Sequence, residues 1–265
     1  RTAKLGDAVA RELTVLFADI RHFTTISEQL SPQQTFDFLN QCLSKVGPHI
    51  RAQSGFIDKY IGDAIMALFP GSPADAVRAA IAMQLEVNRF NQEHPDAKTL
   101  AIGIGIHTGR VMMGTIGEEQ RFEATVISDA VNLTARLETL TKQLDCSIVA
   151  SADVLGALSK EERALTRPLG RFAVKGKRAP AELVEIFAAE PSQRRDAKLR
   201  SIPAFTQGLS EFQAGDYQAA ASSFSSILAH SEPDGPALFW SKQCKLAMTV
   251  GGPVPEDGVL QLDRK

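Results

Sequence analysis

The sequence predicts a mixed α/β fold: an α+β sandwich built on one mixed sheet, followed by a helical extension. Three observations predict it. Apolar strand-like runs alternate with long helical patterns in the order β-α-β-β-α-β, then β-α-β with a closing pair of strands. Gly62-Asp63 tightly joins two six-residue strand-like segments, the signal of a hairpin in the middle of that order. After Pro191 the texture changes to helix–turn–helix periodicity.

Taken in order, residues 1–12 form a short polar lead-in, read as a linker. Leu13–Ile20 is a strand by its nearly continuous apolar run. Ser31-Pro32 opens a helix, since proline suits the first helical position, and Phe36, Leu39, Leu43, Val46 and Ile50 give its apolar stripe. Gly55 ends it. Phe56–Ile61 and Ala64–Phe69 are the hairpin strands, and Ala74–Asn91 is an alanine-rich helix. Residues 100–106 read as a strand, and Gly109, Gly114 and Gly117 punctuate the stretch after it. Phe122–Ile127 is a strand, and Ser128-Asp129 caps a helix running to about Thr141. Ser147–Ala150, Leu169–Val174 and Leu183–Phe187 are short strands, the last two flanking Lys175-Gly176-Lys177-Arg178. This is the split β-α-β plan of ferredoxin-like, palm-type sheets. The expected division is a catalytic domain over 13–190, a tetratricopeptide-like helical extension over 200–250 and a flexible tail over 251–265.

Composition narrows the function. At 265 residues, with 44% hydrophobic and 23% charged residues, the chain is ordinary globular material. A net charge of -2 and the lack of a sustained basic stripe argue against a nucleic-acid partner. Cys42, Cys146 and Cys244 are far apart and odd in number, which points to buried thiols in a reducing, cytoplasmic setting. No apolar run is long enough to span a bilayer. The chain opens on Arg1, so it is read as a piece of something longer, with any membrane anchor or sensor lying before it.

Four segments carry the chemistry. Asp19 interrupts an apolar run, where a lone carboxylate is costly unless a cation meets it. Arg21, Thr24, Thr25 and Ser27 come next in a strand-to-helix turn whose backbone N–H groups suit phosphate, and Phe23 and Thr24 are its substrate-binding candidates. Asp63, at the hairpin turn, can aim a second carboxylate at the same point. Two carboxylates converging on hard cations is a two-metal arrangement, with ions roughly 3.5–4 Å apart. Asn132 and Arg136, four apart, share one helix face and suit a ribose and a phosphoryl oxygen. Lys175 and Lys177 offer point charges to terminal phosphates. His107 is read as a packed strand residue, and Phe17, Phe23, Phe56 and Phe69 as core.

The segments FADIRHFT, DKYIGDAIMALF, GIHTGRVMMGTIG, TVISDAVNLTARLE and RFAVKGK resemble, in order over about residues 13–188, the motifs of class III nucleotidyl cyclases. The resemblance implies that Asp19, Asp63 and the Ile20 carbonyl hold two Mg2+ or Mn2+ ions per site, with Ca2+ an option for one of them. It implies that Lys59 and Thr125 read the purine, Asn132 orients the ribose, Arg136 stabilises the transferring phosphoryl and Lys175 holds the triphosphate. It also implies a head-to-tail homodimer with two shared sites. The family usually has Gly where His22 and Ser128 stand.

Adenine presents an acceptor at N1 and a donor at N6. Lys59 donates and Thr125 can accept, so the pair favours ATP as substrate and an adenylate cyclase activity that yields 3′,5′-cyclic AMP and pyrophosphate. Within the family this pair resembles the bacterial and cyanobacterial subset that often responds to bicarbonate. A guanylate cyclase and a catalytically weak dimerisation module are the alternatives. A diguanylate cyclase would carry a Gly-Gly-Asp/Glu-Glu-Phe turn, which Ile61-Gly62-Asp63-Ala64 does not match.

Overall fold

The apolar run around Val15 becomes the interior strand of an antiparallel sheet. In the computed structural model, which describes residues 8–95, 99–118, 121–173, 180–229, 233–249 and 258–261, that strand is β1, Ala8–Ile20. The chain divides into two compact units, Arg1–Glu138 and Thr139–Lys265.

In the first unit β1 is followed by a short helix α1 (Phe23–Ser27), α2 (Pro32–Ala52), β2 (Phe56–Ile61), β3 (Ala64–Phe69), α3 (Pro73–Glu93), β4 (Ile102–Glu118), β5 (Arg121–Ile127) and the start of α4 (Asp129–Leu144). The strands lie in the order β2-β3-β1-β4, with β5 paired to β4. That is the predicted split β-α-β plan: β3 inserts between β1 and β2 and runs antiparallel to both. Both α2 and α3 open on capping boxes, Ser31 with Gln34 and Ser72 with Asp75, followed by proline.

Alternation along β1 sorts its side chains onto two unlike faces. Leu16 lies opposite Ala67 on the face that carries α2 and α3. Leu13, Val15 and Phe17 point the other way and form a buried cluster with Met66, Leu68, Val111, Val126 and Ala130. Phe17 and Phe69 are core as expected, whereas Phe56 is 41% exposed because β2 is the outer strand of this sheet. His107 is buried within β4, as its strand position implied.

Two elements run longer than the sequence indicated. β1 begins at Ala8, inside the expected linker, because backbone pairing of Ala8–Glu12 with Gly114–Arg110 extends the ladder beyond the apolar residues. β4 runs unbroken through Gly109, Gly114 and Gly117, which therefore do not end it. Gly105 and Gly109 instead give α4 its seat. A Cβ at Gly105 would lie 2.4 Å from the Glu138 backbone nitrogen and 2.5 Å from the Thr134 carbonyl oxygen, and one at Gly109 would lie 3.0 Å from Ala130 Cβ.

The second unit contains β6 (Ile148–Ser151), a 3-10 turn at Ala152–Ala157, α5 (Lys160–Ala164), β7 (Thr166–Ala173), β8 (Ala181–Ile186), α6 (Ser192–Gln213), α7 (Tyr217–Leu228), α8 (Gly235–Met248) and β9 (Leu260–Gln261). The three predicted helices after residue 191 are present, yet they do not make a unit of their own. They share a core with β7. Trp240 Nε1 donates to the Leu169 carbonyl at 2.9 Å, and its ring lies against Gly170, whose φ of 106° favours glycine. Arg167 of β7, fully buried, donates to Glu185 at 2.6 Å and bidentately to Asp234 at 2.6 and 2.7 Å, with its guanidinium stacked on Phe205. Lys198 of α6 bonds the other Glu185 oxygen at 2.6 Å and Glu190 at 2.9 Å. Leu260 and Gln261, within the expected flexible tail, pair in parallel with Phe172 and Ala173. All three cysteines are free and buried, and burial pushes the Cys42 thiol up to about 12.

Burial alone would raise the Asp234 carboxyl, but the Arg167 guanidinium outweighs it and holds the group below its ordinary value. Its contribution to stability is therefore complete above the unfolded value of about 3.9 and is lost as pH falls through the lower folded one. Urea midpoints should fall on acidification below about pH 4 in the wild type. Asp234→Asn keeps the cap on α8 but strands part of the buried guanidinium; it should cost about 3–5 kcal/mol at neutral pH and lack that share of the acid sensitivity.

Candidate active site

Asp19 stands near the end of β1, half-buried, on the same face as Val15 and Phe17. Its ladder partners are Ala64 on β3 and Gly103 on β4. Asp63 is the residue before Ala64, in the two-residue turn between β2 and β3, where Gly62 takes φ 62° as a II′ hairpin requires of its first position. Opposed Cα atoms lie about 4.5–5.5 Å apart, so the ladder brings the backbones of Asp19 and Asp63 to within roughly 6 Å. Two acids 44 positions apart in the sequence are thus neighbours by register.

This donor set suits hard divalent ions. Two carboxylates and the Ile20 carbonyl are all oxygen, and Mg2+ ordinarily takes one or two carboxylates together with substrate phosphates. Among the described residues no group of three His, Cys, Asp or Glu side chains converges.

Thr24 and Phe23 lie in α1, the first exposed and the second half-buried. His22, just before them, adopts φ 57°, the left-handed conformation that favours glycine, at the position where the resemblance leads one to expect glycine. Ser128 at the other such position accepts a hydrogen bond from the Val131 N–H at 3.2 Å and so caps α4.

Asn132 and Arg136 sit one turn apart on α4, exposed and half-buried respectively, while Leu133 and Leu137 face inward. The contacts of α4 with Gly105 and Gly109 set its height above the sheet, and with it the position of both side chains.

Lys59 and Thr125 come together across the first unit. By the ladders, Lys59 is level with Met66, Phe17 and Gly105, whereas Thr125 is level with Gly114, about 30 Å further along an extended β4. Yet Lys59 Nζ lies 3.4 Å from Thr125 Oγ1. The β4–β5 arm therefore curls back over the face that carries Phe17 and Met66, which is also why Val111 and Val126 join their cluster. At 3.4 Å the contact is longer than an ordinary N–H···O bond, an arrangement that a base edge could replace. Lys175 and Lys177 lie outside the described residues. Sequence reasoning missed Asp58, whose Oδ2 lies 3.3 Å from Lys59 Nζ. The available signal was the doubled apolar pairs Phe56-Ile57 and Tyr60-Ile61, which break strict alternation around Asp58-Lys59.

The first unit thus combines an antiparallel split β-α-β sheet, two acids brought close at a hairpin turn and a helix carrying Asn132 and Arg136. Comparison with known proteins gives the family. Residues 8–187 match the family model described as the adenylate and guanylate cyclase catalytic domain, and the chain belongs to that family. An adenylate cyclase of Anabaena cylindrica is 44% identical over 193 residues, 70% of this chain; the chain spans only 38% of that relative's length. The crystal structure of the adenylyl cyclase CyaB from P. aeruginosa is similar at 30% identity and a TM-score of 0.59, covering 68% of this chain and 95% of that one. The guanylyl cyclase Cya2 is similar at 31% identity and a TM-score of 0.57, covering 67% of this chain and 92% of that one.

Because the Cβ of a residue 105 side chain would collide with backbone rather than with a flexible tip, Gly105→Ala must displace α4. The expected cost is about 1–3 kcal/mol. Nucleotide turnover should fall further than that destabilisation explains, which thermal unfolding and steady-state rates on the same preparation will separate.

Proposed function

We propose that this chain is the catalytic part of an adenylate cyclase, a phosphorus–oxygen lyase that converts ATP to 3′,5′-cyclic AMP and pyrophosphate. The observation that carries the choice of substrate is the meeting of Lys59 Nζ with Thr125 Oγ1, a donor and an acceptor presented side by side. Adenine needs that combination, at N1 and N6. Solved adenylyl and guanylyl cyclases are similar at nearly equal identity, whereas the 44% identical relative from Anabaena cylindrica bears the adenylate cyclase name and supports the same reading as this pair.

In this reading Asp19, Asp63 and the Ile20 carbonyl would hold Mg2+ or Mn2+. When bound, the ions would neutralise phosphate charge and ease ionisation of the ribose 3′-hydroxyl. Lys59 and Thr125 fix the base, and Asn132 orients the ribose. Arg136 stabilises the negative charge that builds on the α-phosphoryl oxygens. The 3′-oxygen attacks the α-phosphorus in line, the bond from that phosphorus to the bridging oxygen breaks and pyrophosphate leaves. No His or Glu of the motifs is one that must serve as general base, which leaves metal-bound hydroxide, bulk water or the substrate itself to take the hydroxyl proton.

The site is shared between two copies of the chain, the metal-holding acids coming from one and the base, ribose and phosphoryl groups from the other. In support, one chain exposes large apolar residues on its first unit: Phe36, Phe56, Tyr60, Ile61, Met112 and Ile127, the last two directly opposed across β4 and β5. A catalytic part working on ATP belongs in the cytoplasm. No helix among the described residues is long and apolar enough to cross a membrane.

Incubation with ATP or GTP and Mn2+ should yield cyclic AMP in preference to cyclic GMP; the reverse preference would remove the base assignment. Asp63→Ala and Arg136→Ala chains should each be inactive as homodimers. Mixed in equal amounts they should recover about a quarter of wild-type activity, because half of the dimers are hetero and each of those has one intact site. No recovery in verified mixed dimers would defeat the shared site. Bicarbonate at fixed pH should raise turnover, and an unchanged rate would dismiss that effector.

A further inference from the structure

Reading a base from Lys59 depends on which face of the sheet that residue occupies, and one extra residue decides it. β2 pairs with β3 through Phe56↔Leu68 and Ile57↔Ala67, then resumes at Lys59↔Met66, leaving Asp58 without an opposite number. This is a β-bulge, which bends the strand and re-aims the residues after it. Ile57 faces α2, where its Cδ1 lies 3.5 Å from the position of a Cβ on Gly47. Strict alternation would send residue 59 to that same helix-covered face. The bulge sets Lys59 opposite Met66 instead, on the face of Phe17 and Asp19.

The bulged residue is itself an acid. Asp58 Oδ2 lies 3.3 Å from Lys59 Nζ, and its side chain is only 12% exposed. That oxygen is buried with no hydrogen-bond partner among the described residues. A buried carboxylate oxygen in this state is costly unless a cation stands over it, so the carboxylate and the ammonium constrain each other. The Lys stem is long and flexible, and an unrestrained ammonium would sample many positions.

We propose that Asp58 is a positioning residue for base selection, holding the Lys59 ammonium beside Thr125 so that donor and acceptor meet the adenine edge together. The proposal rests on the base-reading roles given to Lys59 and Thr125. Released from Asp58, the ammonium donates to guanine O6 as readily as to adenine N1, and the loss falls on discrimination.

The test is Asp58→Asn in the full chain, isosteric and compatible with the bulge, with kcat and KM measured on ATP and with GTP followed as substrate or competitive inhibitor. kcat/KM for ATP should fall about fivefold to tenfold, mostly through KM, while the value for GTP changes by less than about twofold. Asp58→Glu should recover part of the difference. Equal losses on both nucleotides, with or without a lower unfolding midpoint, make Asp58 a structural residue and overturn the proposal; so does no change on either. Lys59→Ala, run alongside, separates the two levels. If it leaves the ATP-to-GTP ratio intact, the base-reading assignment itself fails. If it collapses the ratio and Asp58→Asn does not, only the role of Asp58 fails.

Discussion

The alternation of β1 between two unlike faces is the constraint on which the first unit depends. One face is closed by α2 and α3; the other holds the Leu13, Val15 and Phe17 cluster and, two residues on, Asp19. A one-residue slip of this strand would carry every side chain to the wrong face. Burial of residues such as Val15 and Phe17 is worth about 1.5–3 kcal/mol each, so a slip would forfeit an amount comparable with the whole stability of a domain. Hydrophobic packing thus sets the register, and register sets the meeting of Asp19 with the β2–β3 turn. The chemistry proposed for the hairpin would thus depend on packing further down the strand.

Where local physics decides structure, the sequence was legible. The hairpin strands Phe56–Ile61 and Ala64–Phe69 have the predicted bounds, because a two-residue turn opening on glycine leaves one pairing. The caps on α2 and α4 were readable for the same reason. β4 was not. Its glycines signal interruption when only neighbours in the sequence are considered. At Gly105 and Gly109 the structure shows instead a close approach to a helix about 25 residues later, where a Cβ on residue 105 would strike backbone and one on residue 109 would crowd Ala130. The five exposed residues that open β1 carry no pattern, since alternation shows only where one face is buried.

The second unit shows the same limit for charge. Arg167, Glu185, Lys198 and Asp234 each look like solvated surface residues in sequence, and buried charge is rare enough that this is the reasonable first reading. Their partners lie as far as 67 residues apart, so nothing local announces the network. It joins α6 and the start of α8 to β7 and β8, while Trp240 and β9 grip the same strand further along. That is why helices readable as a separate extension are packed into one unit with strands of the cyclase family match.

At the site, residue types were legible and their geometry was not. The motifs name Lys59 and Thr125, but only the curl of the β4–β5 arm brings them together across 66 residues. The groups proposed for chemistry differ from those proposed for recognition in how firmly they are held. Asp19 and Asp63 are fixed by a ladder, and Asn132 and Arg136 by a helix pressed onto glycine. Precision of this kind suits phosphoryl transfer, where small misplacements are expensive. Lys59 instead depends on a flexible stem, a bulge and one neighbouring acid. In the proposed roles, changes there would alter which base is read while leaving the sheet, the acids and α4 in place. A family whose members share this fold at near-equal identity while bearing both adenylyl and guanylyl cyclase names is what such a separation of recognition from chemistry would produce.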